Sequence, residues 1–193
     1  TEKEIAVQQL NEVETFAQSA ECRKKVVLHY FGEEINNCGM CDNCLKPKTP
    51  IEIKDDVLLA LQALEQTNEQ TNALNLVNIL VGRKSAEITT KNLDKIKVFG
   101  KGSEKDMIFW SSVVNKIILE NLVRKEIEAF GVLKFTEKGK KFLKKPENIK
   151  GVINHKFEES EDDEDIVTLT QKNNNVLEPK LLDILKDIRR KIA

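Results

Sequence analysis

All four cysteines of this 193-residue chain, Cys22, Cys38, Cys41 and Cys44, lie in one stretch, spaced as Cys22-x15-CGMCDNC. Two CxxC steps that share a central cysteine let one tight turn present soft, charge-bearing thiolates to a single ion. Gly39 supplies the backbone freedom such a knuckle needs. Cys22 would tie a preceding helix to that knuckle, so metal binding becomes folding free energy. For structural zinc in small peptides that is roughly 10–16 kcal/mol, more than the whole stability of a typical domain.

Three chemistries compete for these thiols. Disulfides need an oxidising compartment, and the chain shows no secretory segment, though a processed or truncated chain has lost such a segment. An iron–sulfur cluster also uses C-x2-C-x2-C plus one distant cysteine, and Pro47 follows shortly after Cys44. A structural zinc uses the same four ligands, and the polar pair Asp42-Asn43 suits an exposed structural ion better than a buried redox centre. Spacing alone favours zinc and leaves the cluster open. Four thiolates close the coordination shell, so no catalytic position is expected.

The length allows one ordinary domain plus a small one. With 33% charged and 5% aromatic residues, the core must be built from Leu, Ile and Val. No apolar run approaches the ~20 residues that span a bilayer, so a soluble chain without a membrane partner is expected. The net charge of -1 hides a division: Arg83 to Lys145 holds sixteen Lys or Arg against eight Asp or Glu, while Glu158 to Asp165 holds seven acids in eight residues. A basic middle of this kind is the footprint of a polyanion-binding surface, most often for nucleic acid.

Residues 2–20 and 21–30 read as two helices, with Ile5, Leu10, Val13 and Phe16 on the first and Cys22, Val26, Val27 and Tyr30 on the second. They form a metal-closed helical hairpin, 1–48, which ends at Lys46-Pro47-Lys48-Thr49-Pro50. Over 49–146, helices are expected at 55–65, 73–81 (stopped by Gly82) and 106–121, with 83–105 irregular and basic. A hairpin follows, 122–127 and 132–136, around Glu128-Ala129-Phe130-Gly131. Strand alternation is imperfect in its first arm, where Lys125 interrupts Val123 and Ile127. Three helices and a hairpin are the order of a winged helix. The expected fold is therefore mainly α with a small β-hairpin wing. Residues 147–176 read as an acidic linker, and 177–193 as a helix carrying Leu181, Leu182, Leu185, Ile188 and Ile192, the start of a domain that the chain does not complete.

Cys22-Arg23-Lys24-Lys25, Tyr30-Phe31-Gly32-Glu33, CGMCDNC ending at Cys44, and Lys95-Ile96-Lys97-Val98-Phe99-Gly100-Lys101-Gly102 followed by Trp110 resemble the C-terminal region of RecQ-family DNA helicases over about residues 10–145. The last seventeen residues resemble, more weakly, the opening of the helical HRDC domain that often ends them. The resemblance implies one structural zinc on Cys22, Cys38, Cys41 and Cys44, and a winged helix that binds duplex and forked DNA beside an ATP-driven 3′–5′ motor. It also implies work in DNA repair, recombination and replication, with the motor domains of the same protein and a single-stranded DNA-binding protein as partners. The implied place is the cytoplasm and nucleoid of a bacterium, or the nucleus of a eukaryote. No G-x-x-x-x-G-K-[ST] loop is present, so ATP and Mg belong to the absent motor and this fragment is not expected to unwind DNA alone.

Candidate phosphate contacts are Arg83, Lys84, Lys101, Lys105 and Lys116. The third helix offers Ser111, Ser112, Asn115 and Lys116 but no Arg, the residue that most often reads guanine, which suits binding blind to sequence. By the same resemblance, Phe130 at the wing tip is a candidate for stacking on the last base pair, worth roughly 1–3 kcal/mol. Trp110 reads as core, and His29 and His155 as non-ligands. Two other classes remain: a winged-helix transcription regulator whose four-cysteine site senses metal or redox state, and a protein-binding module.

Overall fold

The computed structural model describes residues 2–126, 129 and 131–156. The acidic run, the HRDC-like segment and Phe130 lie outside the described residues. Helices α1 (Glu2–Gln18) and α2 (Arg23–Tyr30) pack together, and a single turn, α3 (Asp42–Leu45), sits inside the cysteine knuckle. The second body follows in the order β1 (Ile51–Glu52), α4 (Lys54–Gln66), α5 (Ala73–Val81), α6 (Ala86–Thr90), α7 (Met107–Leu119), β2 (Val123–Glu126), β3 (Val132–Phe135), α8 (Glu137–Lys144) and β4 (Lys150–Gly151). This is the expected mainly α fold with a hairpin wing.

The winged helix has one aliphatic core. Val57, Leu61 and Leu64 of α4, Leu76 and Leu80 of α5, and Trp110, Val113 and Ile117 of α7 are all buried, closed by Leu122, Val123 and Leu133 from the hairpin. Helices α5 and α7 start at side-chain caps: Asn72 accepts from the N–H of Asn75, and Asp106 from that of Phe109 at 2.7 Å. The wing pairs Val123 with Phe135 and Glu126 with Val132, antiparallel. Lys125 breaks the alternation of β2 because its ammonium reaches back to Glu12 of α1 at 2.6 Å. A long-range ion pair thus replaces a core side chain.

Three features depart from the sequence reading. Residues 83–105 are ordered around α6, capped by Ser85, and a 3-10 turn at Leu93–Lys95, because Ile88, Leu93 and Val98 are buried. Helix α8, capped by Thr136, has no counterpart in that reading. Residues 150–155, assigned to the linker, return to the body: β4 pairs with β1, and the N–H of Asn154 donates to Ser112 Oγ at 2.9 Å.

The turn 100–102 is pinned to the end of α5, with Gly100 N donating to Ile79 O and Gly102 N to Leu80 O, both at 2.8 Å. Gly82 ends α5 at φ 84°, and a side chain there would come within 3.0 Å of the Gly100 backbone. Trp110 Nε1 donates to Gly102 O at 2.8 Å, and its indole lies flat against Gly102, leaving no room for a methyl group. Gly102→Ala is therefore expected to cost about 1–3 kcal/mol by overpacking. Urea unfolding measures this, and a midpoint equal to that of the parent chain would contradict the seat described for Trp110.

Candidate functional site

Cys22 caps α2 and is 3% exposed, Cys38 lies in the turn before α3, Cys41 caps α3, and Cys44 lies within it. The four sulfurs all lie within 4.8 Å of one another, with Cys38 to Cys44 at 3.9 Å and Cys22 to Cys41 at 4.0 Å. Zn–S bonds of about 2.3 Å in a tetrahedron put sulfurs about 3.8 Å apart, so the set fits one zinc. A cluster of several irons and sulfides would spread its four thiolates over two or more irons, with some of them farther apart than this. Protonation agrees with a need for a cation. The N–H of Met40 draws the Cys38 thiol down to about 6, whereas burial and the neighbouring sulfurs push Cys44 up to about 12. Four thiolates so close do not all ionise without a dication to offset their charge.

Arg23 fastens the knuckle to α1. Its guanidinium donates to Asp42 at 3.1–3.3 Å and to the carbonyls of Phe16 and Ala17 at 2.5 and 3.1 Å, and it lies over the Phe16 ring. Asn43, buried between Cys41 and Cys44, donates to Ser19 O and Glu21 O at 2.8 and 2.7 Å. Its Oδ1 meets His155 Nε2 at 2.8 Å, and the N–H of His155 donates to Gln18 O at 2.7 Å. Residues 154–155 thus bind α7 through Ser112 and the knuckle through Asn43. His155 stands outside the four-cysteine cluster and is one of the links between the metal module and the winged helix, a role that no local signal in the sequence announced.

The predicted cations divide. Lys116 of α7 is corrected: its side chain is 13% exposed and held by Glu21 at 3.3 Å and Glu120 at 2.9 Å, between the two bodies. Against the burial that favours its neutral form, Glu120 and Glu21 hold its pKa above the ordinary lysine value. Against its own burial, Glu120 is held below the ordinary glutamate value, chiefly by Lys116. Arg83, Lys84, Lys101 and Lys105 are exposed. Arg83 leans on Met107 at 3.5 Å, Lys84 pairs with Asp94 at 3.2 Å, and Lys105 pairs with Asp56 while lying over the Phe109 ring at 4.3 Å. The pinned turn puts Gly100, the neighbour of Lys101, against Gly82, the neighbour of Arg83. Every residue of α7 from Met107 to Leu119 is buried or half-buried. Ser112, suggested as an exposed polar group, is buried and bonded to Ile108 O and Asn154 N.

A thiolate metal module bonded to a winged helix whose third helix is covered defines a zinc-braced accessory domain rather than a free-standing base reader. Residues 1–45 match the RecQ zinc-binding family and residues 47–160 the RQC domain, and the chain belongs to the RecQ helicase family as its C-terminal region. It is 28% identical over 145 residues to the ATP-dependent DNA helicase RecQ of Haemophilus influenzae, covering 74% of this chain and 23% of that protein. The ATP-dependent DNA helicase RecQ of Pasteurella multocida is 26% identical over 145 residues, with the same shares. The RecQ-like DNA helicase BLM of Xenopus laevis is 27% identical over 157 residues, 69% of this chain and 11% of that protein. The chain thus spans about a quarter of the length of its bacterial relatives. Among the described residues no helix is long and apolar enough to cross a membrane.

Two outcomes are expected. Metal analysis should give one zinc per chain and no iron. Chelation should speed amide exchange over 38–45 and at Asn154 and His155 while α4, α5 and α7 stay protected. Unchanged protection in the knuckle after chelation would contradict a metal-held fold. Lys116→Met leaves Glu21 without its cation and Glu120 with only the longer pairs to Lys25 at 3.7 Å and Lys138 at 3.9 Å, and should cost about 1–3 kcal/mol at pH 7, measured by urea unfolding. Glu120's share of this is fully present above the ordinary glutamate value of 4.5 and is lost as pH falls through its depressed folded value. The gap between variant and parent should therefore shrink towards pH 3, and a gap that widened on acidification would count against the pair.

Proposed function

We propose that this chain is the DNA-holding accessory region of an ATP-dependent 3′–5′ DNA helicase that acts in repair, recombination and replication. The observation that carries the reading is the covered third helix beside an exposed cationic edge made of Arg83, Lys84, Lys101 and Lys105. Phosphate contacts hold a duplex without reading it, which is what a translocating enzyme needs. A regulator that reads bases needs α7 free to enter a groove, and the metal module and residues 152–155 occupy its outer side. Four mutually close sulfurs also suit a structural ion better than a sensing site that exchanges it.

The names of the relatives support the helicase part, and ATP and Mg would be held by motor domains that this chain does not contain. An apolar cleft of 630 Å³ between α1, α2 and β2, with Val13, Tyr30 and Phe31 exposed along it, is the seat we assign to that motor. We also propose Phe130, which lies between β2 and β3 in sequence, as a ring that stacks on the terminal base pair of a fork.

Fluorescence anisotropy of the chain with blunt, forked and single-stranded DNA over a salt series tests this. Affinity should fall steeply with salt and vary little with sequence. Arg83→Glu with Lys101→Glu should flatten the slope of log K against log salt by about 2, near one unit per lost phosphate contact. Phe130→Ala should lower the preference for forks over blunt duplex. Tight binding to one palindrome, or affinity insensitive to salt, would refute the reading.

A further inference from the structure

We infer that α8 presents a second surface for the phosphodiester backbone of duplex nucleic acid, separate from the edge made by Arg83 and Lys101; the inference rests on the DNA-holding reading above. From Glu137 to Lys145 the chain carries five lysines and one glutamate, and all five lysines are exposed. Lys138 reaches Glu120 O at 2.7 Å and Lys140 pairs with Glu137 at 3.2 Å. Lys141, Lys144 and Lys145 have no ion pair among the described residues.

Elsewhere many lysines are matched with acids: Lys84 with Asp94, Lys91 with Glu87, Lys125 with Glu12. On α8 they are left at spacings of three and four residues, where like charges disfavour a helix by a few tenths of a kcal/mol per pair. The negative end of the helix dipole offsets part of this for Lys141 and Lys144. Lys145, the residue that caps the helix, shares that offset, yet three unmatched cations stand within five residues. A bound polyanion removes the repulsion and uses every one of these charges.

The helix is also a rigid support. Thr136 accepts from the N–H of Gly139 at 3.1 Å and donates to Asn121 O at 2.6 Å, Phe142 is buried in the core, and Gly139 lies against the Leu122 carbonyl with no space for a side chain. The lysine backbone positions are therefore fixed beside β3, and their flexible side chains extend from a rigid support. α8 packs on α4 and β3, whereas Arg83 and Lys101 sit where α5 ends, so the two cationic surfaces belong to different elements. A duplex touched by both would be held along its backbone rather than at one point.

The test is anisotropy with a blunt duplex over a salt series, using the whole chain, its Lys141→Glu/Lys144→Glu/Lys145→Glu variant, the matching Gln variant, and Arg83→Glu/Lys101→Glu. The inference expects the α8 reversal to weaken binding at least tenfold at low salt and to flatten the salt slope by about 2–3, at about 0.9 per phosphate. The Gln variant should shift in the same direction by less, with unchanged helix content by circular dichroism. If the reversal perturbs the helix, the Gln variant decides on slope alone. Affinity within twofold of the parent and an unaltered slope, while Arg83→Glu/Lys101→Glu loses binding, would overturn this inference and leave the DNA-holding reading intact. A parent chain that binds no duplex would overturn both.

Discussion

Four sulfurs packed within 4.8 Å cannot all carry charge unless a cation shares the space, and the architecture of the N-terminal half follows from that constraint. α1 and α2 bury little: Leu10 and Val13 are 67% and 64% exposed, and among the described residues no aliphatic core holds this module together. In its place the thiolate site, Arg23 on Asp42 and Phe16, and Asn43 on Ser19 and Glu21 fix the hairpin. The winged helix is the opposite case, with a continuous core that needs no ion.

The two halves meet through polar contacts. His155 bonds the knuckle through Asn43, Asn154 bonds α7 through Ser112, and Lys116 joins α7 to Glu21, so any loosening at the metal reaches α7 through residues 154–155. The same contacts cover the outer side of the third helix. In a free winged helix that side enters a groove and reads bases. With that side engaged, the groups left exposed on the winged helix include Arg83, Lys84, Lys101 and Lys105, which suit contact with charge rather than with sequence.

Much of this was legible in the sequence because it is local. The cysteine spacing, the periodicity of Val57, Leu61 and Leu64, the stop at Gly82 and the turn at Gly131 are each encoded within a few residues. What escaped depends on distance. Lys116 looks like any surface lysine until Glu21, far earlier in the chain, is brought beside it. Ser112 looks polar and free until Asn154 arrives. The strands β1 and β4 have two residues each and stabilise only as a pair across nearly the whole winged helix. Helix α8 was hidden by composition: Glu137 to Lys144 holds two apolar side chains and a glycine, and only Thr136, three residues before Gly139, marks its start.

The central claim is that one zinc, bound by Cys22, Cys38, Cys41 and Cys44, is the structural centre of the module. X-ray absorption at the zinc edge of the purified protein tests it most directly. The account predicts a first shell of four sulfurs at about 2.3 Å and no lighter ligand. A shell with nitrogen or oxygen in place of any sulfur, or an iron edge with a second iron at short range, would contradict it.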